Sequence, residues 1–537
     1  MDIGKSGPVH DDNLQLAAMG HRPELKRQFS TWALLGLAFA VLNSWTALSA
    51  SLSISLTSGG STSVIWGLAT AGVCNLCIAA SLAEFVSAYP TAGGQYHWVA
   101  VVWPKWVPIL SWVTGWINIA GWVALVATNS LLSSQLIVGV ISAMHPTYEP
   151  ARWRQFLIYI GLTLGAFSLA DSWLLFTWSI GGFMLVSITA LACASPDYNT
   201  ARFVFANFVN TTGRPDGVAW LLGLLQGGLG LTAFDTVAHM IEEVLNASVE
   251  GPKVMISCVG IGTFTGCIFL SVLLFVAGDM DQVTSSAAGP LLQILIDATD
   301  NKAGAICLLM LPLVCLFLAI LSVMTTSSRL IFAFARDGGL PASRFFATVY
   351  PKLGLPVNAL GLTVVVVICF GCIFLGSSSA FNAIISASVV ALNLSYMMPI
   401  LVNCLQGRRA LPERKWNLLR ALGWIADIIA LSYIILTSVL FVFPPSRYVT
   451  GSNMSYCIAA FAVIIIISVF QWFVDGRKNF TGPRVDLANL APGSNNWIRK
   501  GWQAESEKFT RVRRSFLACT IPPQGVEIYL ATWTSWG

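Results

Sequence analysis

The sequence predicts an all-α integral membrane protein whose chain crosses the bilayer twelve times. Of its 537 residues, 55% are hydrophobic and only 10% are charged, whereas soluble domains carry roughly 25% charged residues. The apolar residues fall in long runs, and a helix of about 20 apolar residues is long enough to cross a bilayer. The first and the sixth run are both interrupted near the middle, which divides the first ten predicted helices into two groups of five.

The twelve predicted helices follow the apolar runs in chain order. They occupy residues 31–57, 64–89, 107–142, 154–170, 173–193, 218–241, 254–278, 302–335, 357–376, 380–404, 418–443 and 454–474. The fourth and fifth helices share one apolar run that Asp171 and Ser172 interrupt. The chain therefore divides into an N-terminal tail (1–30), a first repeat (31–193), a second repeat (218–404), a final helix pair (418–474) and a C-terminal tail (475–537).

The distribution of positive charge predicts the orientation. If the N-terminus lies inside, the N-terminal tail and the inner loops carry fourteen Lys and Arg residues, and the outer loops carry six. Cytoplasmic loops of membrane proteins are enriched in Lys and Arg, so we expect both termini in the cytosol and the protein in the plasma membrane. Because the basic residues are spread over many loops, they do not indicate nucleic-acid binding.

Polar residues interrupt the first predicted helix. The segment consists of Asn43, Ser44, Trp45, Thr46 and Ala47, and it lies roughly 18–24 Å along the helix, near the midplane of the bilayer. A loosened backbone persists at that depth only where it is buried in protein or lines a watery cavity. We therefore predict that the segment binds a small solute. The indole of Trp45 would either attract an ammonium group or pack against a neighbour.

Glycines interrupt the sixth predicted helix. Gly227, Gly228 and Gly230 lie roughly 14–18 Å along a helix that enters from the opposite side of the membrane. Breaks at matching positions of two halves are typical of transporters whose unwound helices bind the substrate. Glycines also allow membrane helices to pack closely, which is the better explanation for a single glycine-rich patch. The paired placement favours a break.

Ionisable residues inside predicted helices are functional candidates, because a charge is costly in a membrane. Asp235 lies deep in helix 6, where we expect either a counter-charge for a cationic substrate or a proton carrier. Glu84, near the inner end of helix 2, is predicted either to belong to an inner gate or proton relay or to reach the membrane surface. His239 is a candidate pH-sensing group, and Asp427 is expected to pair locally.

Helix 3 carries three tryptophans. Trp112 and Trp116 share one face because they are four residues apart, and Trp122 points away from that face. We include Trp116 among the substrate-binding candidates, with packing or anchoring at the membrane surface as the alternative.

Four segments resemble fungal choline, GABA and amino-acid permeases, a branch of the amino acid–polyamine–organocation superfamily. They are NSWTALSASLSISLTSGG at 43–60, AEFVSAYPTAGGQY at 83–96, FDTVAHMIEEV at 234–244 and SRLIFAFARDGGLP at 328–341. The resemblance covers about residues 25–480. It implies twelve helices in a LeuT-like five-plus-five inverted repeat and secondary active import of a small amine or amino acid by symport.

The resemblance also implies further site residues. Phe234 accompanies Asp235 in the helix 6 motif. Sodium-coupled relatives bind their ion with hydroxyls of helix 8, which makes Ser322, Thr325 and Thr326 candidates for coupling. Proton symport is usual in the family, but helix 5 lacks the Lys of some proton-driven relatives, so the choice between H⁺ and Na⁺ stays open. The substrate is choline, GABA, another amino acid or a polyamine.

The sequence does not favour an enzyme. The five histidines, at positions 10, 21, 97, 145 and 239, form no metal-binding pair along the sequence, so we expect neither a metal nor a cofactor. Two Cys-x-x-Cys pairs lie within predicted helices without nearby ligands, where packing explains them better. The expected partners are the solute and membrane lipid, and the oligomeric state stays open. The alternative function is a nutrient receptor that keeps this fold and signals without transporting.

Overall fold

The computed structural model describes most of the chain as far as residue 482. The described residues are 12, 13, 15–17, 19, 21, 24, 25, 27, 29–103, 107–145, 147–168, 175–352, 354–376, 380–443, 447, 457–480 and 482. The predicted turn at Asp171 and Ser172 and nearly all of the predicted C-terminal tail lie outside these residues.

Helices make up the regular structure of the described residues. The main helices are α1a (Thr31–Leu42), α1b (Ser44–Ala50), α2 (Leu68–Ala88), α3 (Val107–Met144), α4 (Arg152–Ser168), α5 (Leu175–Ala194), α6a (Asp216–Leu231), α6b (Thr236–His239), α7 (Ala247–Val276), α8 (Lys302–Arg336), α9 (Val357–Gly376), α10 (Ala380–Leu405), α11 (Arg420–Leu440) and α12 (Cys457–Gln471). Short helices in the connections include Leu52–Leu56, Gln95–Val102, Ile241–Glu243, Met280–Ser285 and Pro290–Thr299.

Ten helices in the described part of the chain are long and apolar enough to cross a membrane. The two pieces of helix 1 together make one of them, Thr31–Ala50, and the two pieces of helix 6 make another, Asp216–His239. Helices α4 and α12 are shorter, at 17 and 15 residues, and are not among the ten. The protein is therefore a multi-pass integral membrane protein.

Helix 7 starts seven residues earlier than predicted. We predicted its start at residue 254, but α7 begins at Ala247, after Asn246 in a left-handed conformation. Pro252 lies inside this early part of the helix and has no N–H to donate to the carbonyl of Ser248. The hydroxyl of Ser87 on α2 donates to that carbonyl instead, at 2.8 Å. The contact with α2 therefore compensates for the proline.

Helices 1 and 6 lie side by side in opposite directions. Helix α1a contacts α6b, and α1b contacts α6a. Gln226 Nε2 donates to the Leu48 carbonyl at 2.6 Å, and Ser55 Oγ donates to the Gly223 carbonyl at 2.7 Å. Residues later in helix 1 thus meet residues earlier in helix 6. The interruptions of the two helices consequently lie against each other inside the bundle.

Candidate substrate and coupling site

The interruption of helix 6 lies one turn beyond the glycines. Helix α6a continues through residues 227–230 and ends at Leu231, and α6b begins at Thr236. Between them, Ala233 adopts a φ of 74°, which is strained for a residue with a Cβ. The prediction that Gly227, Gly228 and Gly230 form the break is therefore wrong, and residues 232–235 form it.

The glycines instead let α6a approach its neighbours. A Cβ on Gly230 would lie 2.5 Å from Cγ of Leu48 on α1b, and a Cβ on Gly227 would lie 3.0 Å from Cβ of Ala71 on α2. Such close approach through small residues is typical of packed membrane helices. The packing alternative from the sequence thus explains these positions.

Helix 1 is interrupted at Asn43, and a second interruption at Ser51 separates α1b from the short helix Leu52–Leu56. Asn43 adopts φ 46° and ψ 39°, a left-handed conformation that Asn tolerates better than most residues. Its N–H still donates to the Phe39 carbonyl at 2.9 Å, and its carbonyl accepts from Ala47 at 2.8 Å. The predicted loosening from Asn43 to Ala47 was therefore too long, because residues 44–47 lie in α1b.

Two predicted residues at this kink have polar atoms available for a ligand. Asn43 Nδ2 and Ser44 Oγ are buried, and neither has a hydrogen-bond partner among the described residues. Thr46 Oγ1 bonds back to the Asn43 carbonyl at 3.1 Å, and Ala47 is buried without a polar side chain. Because buried polar groups are nearly always paired, the unpaired atoms of Asn43 and Ser44 are suited to a polar solute.

Trp45 lies in a packed aromatic cluster. The centroid of its ring lies 5.0 Å from that of Phe269 and 6.3 Å from that of Phe183, both in edge-on geometry. Its indole N–H donates to Ser179 Oγ at 3.0 Å. These partners belong to α5 and α7, and the contacts favour the packing alternative for Trp45. Its role in substrate binding stays a prediction.

Asp235 lies at the centre of a buried hydrogen-bond network. Its Oδ1 accepts from the Tyr396 hydroxyl at 2.6 Å, and its Oδ2 accepts from Gln95 Nε2 at 2.8 Å and from Trp122 Nε1 at 3.2 Å. His239 Nε2 lies 3.1 Å from the same Oδ2. All five side chains are 0% exposed. A carboxylate has about four acceptor positions, so this conformation favours a proton carrier over a counter-charge that contacts the substrate.

Both ring nitrogens of His239 face polar partners. His239 Nδ1 lies 2.9 Å from the Ala92 carbonyl, which can only accept, so Nδ1 carries a hydrogen. Nε2 lies beside both the carboxylate oxygen, at 3.1 Å, and Asn118 Nδ2, at 3.4 Å. The amide can donate to a bare Nε2, whereas a carboxylate oxygen can only accept. A hydrogen between Nε2 and the carboxylate would therefore make this contact favourable.

Trp122, and not Trp116, reaches this network. Trp116 is half-buried, and its ring lies 6.0 Å from that of Trp112, which packs in turn against Phe334 of α8. The spacing correctly placed Trp122 on another face of the helix. The face of Trp122 is the one that meets Asp235 of helix 6, and the role of Trp116 in substrate binding stays a prediction.

The helix 8 candidates take different positions. Thr326 Oγ1 lies 2.6 Å from Thr236 Oγ1, immediately after the helix 6 break. Ser322 donates to the carbonyl of Leu318 one turn earlier, at 3.0 Å, and Thr325 is half-buried. Of the three, Thr326 is the one whose side chain is shown in contact with α6b.

Phe234 and the backbone of the break pack against α10. The Phe234 ring centroid lies 5.1 Å from that of Tyr396. The Ala233 N–H donates to the Tyr396 hydroxyl at 3.1 Å, and that hydroxyl donates to Asp235. Tyr396 therefore links the strained backbone of the break directly to the carboxylate.

Glu84 belongs to a buried ion-pair network with the segment between α10 and α11. Its two oxygens pair with Arg408 and Arg414 and accept from the Leu418 N–H at 3.1 Å. Glu84 is 0% exposed, so the alternative in which it reaches the membrane surface is wrong. Asp427 pairs with Arg408, as expected. This network fastens the segment to α2.

A further ion pair closes the same end of the bundle. We call this end the N-terminal side, because the described residues of the segment 12–30 lie there. Glu242 binds Arg336 through both oxygens, at 2.9 and 3.1 Å, and accepts from the Ala92 N–H at 3.0 Å. Burial alone would raise the pKa of Glu242, but Arg336 and the Ala92 N–H lower it to about 2. Glu242 is therefore ionised at neutral pH and holds α8 against the end of helix 6.

A membrane-spanning helical bundle with two interrupted helices and an ionisable network buried at one of the interruptions is typical of a solute transporter. Comparison with known proteins agrees with this class. The chain matches the amino acid permease family over residues 29–470, and it belongs to that family.

Similar proteins include named transporters. A choline transporter of Saccharomyces cerevisiae is 31% identical over 506 residues, covering 91% of this chain and 89% of the relative. A putative amino acid/polyamine transporter of Macrophomina phaseolina is 35% identical over 444 residues, covering 80% of this chain and 97% of the relative. An amino-acid permease of Arabidopsis thaliana is 29% identical over 506 residues, covering 89% of this chain and 97% of the relative. The chain is thus a fungal-type permease of the amino acid–polyamine–organocation superfamily, and it is a transporter rather than an enzyme.

Proposed function

We propose that this permease imports a small amine-bearing solute across the plasma membrane by proton-driven alternating access. The observation that supports the proposal is the 3.1 Å contact between His239 Nε2 and Asp235 Oδ2 at the interruption of helix 6, where we infer that one proton is shared. In the proposal the chain forms twelve membrane helices in a five-plus-five inverted repeat, and the N-terminal side is cytosolic.

The proton is coupled to the shape of helix 6 through Tyr396. When the proton leaves, the pair becomes a buried negative charge with two acceptors facing each other, which is costly in a low-dielectric interior. The network must then rearrange, and Tyr396 transmits that change to Ala233 in the strained break. Loss of the proton therefore favours a different conformation of helix 6, which is the property that a coupled carrier needs.

In this proposal the solute binds at the kink of helix 1. Asn43 Nδ2 and Ser44 Oγ supply unpaired polar atoms there, and the end of α6a supplies backbone carbonyls. With its proton, the Asp235–His239 pair has no net charge to balance a quaternary ammonium, and the indole of Trp45 is already packed. These two observations rank zwitterions, such as GABA or another amino acid, above choline and polyamines.

The ion pairs of Glu84 and Glu242 hold the N-terminal side closed in this conformation. Opening toward the cytosol would separate Arg408 and Arg414 from Glu84 or Arg336 from Glu242. Separating one arginine from its glutamate would leave a buried charge without a partner, which is costly. These contacts therefore form an inner gate whose ion pairs open together.

A competition panel tests the substrate class. Cells that express the chain would take up labelled GABA at acidic external pH in the presence of excess choline, polyamines or individual amino acids. We expect zwitterionic amino acids to compete best and a collapsed proton gradient to abolish accumulation. Strong competition by choline alone would overturn the ranking. Solute binding without any uptake would favour the nutrient receptor.

A further inference from the structure

A second buried cluster of ligand-type side chains lies on the N-terminal side, apart from the Asp235 network. His97 belongs to the short helix Gln95–Val102, Asp337 follows α8, and His21 belongs to the N-terminal segment. One nitrogen of each imidazole and one oxygen of Asp337 all lie within 4.8 Å of one another. The two imidazole centroids are 5.8 Å apart. Three parts of the chain that are distant in sequence therefore converge on one point.

The imidazoles of this cluster have unpaired nitrogens. His97 is 0% exposed, and neither Nδ1 nor Nε2 has a hydrogen-bond partner in the described part of the chain. The same holds for Nε2 of His21, which lies 3.8 Å from Asp337 Oδ1, beyond hydrogen-bonding distance. Buried polar atoms are rarely left unpaired, and each exception calls for a water or an ion as its explanation. Three such nitrogens in one cluster point to a shared ligand.

We propose that His21, His97 and Asp337 form a binding site for a divalent transition-metal ion such as Zn²⁺. Two imidazole nitrogens and one carboxylate oxygen are a ligand set that zinc accepts, with water in the fourth position. Ligands about 2.0–2.2 Å from a tetrahedral ion lie roughly 3.3 Å apart. The side chains must therefore approach one another by about 1.5 Å from the 4.8 Å limit, which rotation of the imidazole of His21 or His97 can supply.

The carboxylate is oriented for this role. The Tyr96 hydroxyl donates to Asp337 Oδ2 at 2.9 Å. The other oxygen, Oδ1, faces His21 Nε2 at 3.8 Å. Carboxylates and imidazoles that bind metals are commonly held by such outer hydrogen bonds. Both terminal nitrogens of the neighbouring Arg336 donate to Glu242, and so the guanidinium is directed toward Glu242 instead of Asp337.

A bound ion would fasten the N-terminal segment across the end of the bundle. Arg27 already pairs with Asp12 at 3.0 Å and donates to the Val244 carbonyl at 2.9 Å. The Asn246 N–H donates to Asp12 at 2.9 Å. A metal that joins His21 to His97 and Asp337 adds a link to helix 8. This proposal differs from the sequence-based expectation of no metal site, which considered only neighbours along the chain.

Metal titration of the full-length protein tests the proposal. Detergent-purified protein, stripped with a chelator, would be titrated with Zn²⁺ against a zinc-binding dye, in wild type and in His21→Ala, His97→Ala and Asp337→Asn. His145→Ala is the matched control, because His145 is exposed and lies outside the cluster. We expect one tight site in wild type and in the control, and at least about tenfold weaker binding in each cluster variant.

Cobalt substitution distinguishes this site from the twelve cysteines of the chain. Co²⁺ bound by nitrogen and oxygen gives visible ligand-field bands without thiolate charge transfer, and these bands should disappear in His97→Ala. Zinc affinity that is unchanged in both His21→Ala and His97→Ala, or cobalt bands of thiolate type, would overturn the proposal. His21→Ala alters only the N-terminal segment, so it remains informative if His97→Ala does not fold. The measurement needs no transport and is independent of the proposed function.

Discussion

The Asp235 carboxylate and the His239 imidazole face each other at 3.1 Å, one helical turn apart and both inaccessible to solvent. The other imidazole nitrogen, Nδ1, lies 2.9 Å from the Ala92 carbonyl, so we expect a hydrogen between Nε2 and the carboxylate. This contact lies where helix 6 is interrupted. In the proposed mechanism it holds one proton.

Asp235→Asn should separate transport from proton coupling. The amide preserves the size of the side chain but carries no charge, so the imidazole of His239 loses the ionic partner for its proton. We expect accumulation driven by a pH gradient to be lost, while exchange of labelled for unlabelled solute continues. Asp281→Asn, at an exposed carboxylate, should leave both unchanged. Accumulation that persists in Asp235→Asn would remove Asp235 from coupling.

Tyr396→Phe should slow transport without unfolding the protein. The substitution removes the hydroxyl that donates to Asp235 at 2.6 Å and accepts from Ala233 at 3.1 Å. A hydrogen bond to a charged group contributes about 1.5–3 kcal/mol, so uptake kcat/KM should fall about 10- to 100-fold. The same change at the exposed Tyr350 should have no effect. Normal kinetics in Tyr396→Phe would show that the link to the break is not needed.

Trp45 variants should separate packing from substrate binding. Trp45→Ala removes a ring packed on Phe269 and Phe183, and we expect a loss of about 3–5 kcal/mol in stability, measured by thermal unfolding in detergent. Trp45→Phe keeps an aromatic ring and should leave the KM for uptake within about twofold of wild type. A tenfold change in KM, which would indicate a lost substrate contact, corresponds to about 1.4 kcal/mol. Trp32→Ala is the control, because Trp32 is 75% exposed. A large rise in KM for Trp45→Phe at unchanged stability would return Trp45 to the substrate site.

Gly230→Ala should disturb the contact between helices 1 and 6. The added Cβ would lie 2.5 Å from Leu48 Cγ, and overpacking of this kind costs typically about 1–3 kcal/mol. Gly217→Ala, in the same helix, has no neighbour within 4 Å of the added Cβ, so it should be neutral or stabilise by up to about 1 kcal/mol. Thermal unfolding of the two variants side by side tests this. Equal stability of both would mean that α6a has room to shift.

The sequence was sufficient for those features that follow from the cost of polarity in lipid. Long apolar runs placed most helices to within a few residues. Asp235 was recognisable as a functional candidate because a carboxylate deep in a membrane span is energetically costly. The kink at Asn43 was recognisable on the same grounds, although Asn43 is the one residue of the segment 43–47 that leaves the helical conformation.

Features that depend on which helix faces meet were not predictable from spacing. Glycines occur both at helix breaks and at close contacts between helices, and the sequence does not distinguish the two. The short distance from a Cβ on Gly230 to Leu48 shows that this glycine allows close packing. The real break contains Ala233, a residue with no intrinsic preference for a positive φ. Periodicity placed Trp122 on a different face from Trp116, but it did not show that this face meets Asp235.

Proton movement during substrate uptake tests the central claim most directly. Purified protein in proteoliposomes with a trapped pH-sensitive dye would receive external substrate at equal pH on both sides. We expect wild type to acidify the lumen as substrate enters, and both Asp235→Asn and His239→Gln to admit substrate with little or no acidification. Acidification per substrate that equals wild type in both variants would show that the proton does not travel on this pair.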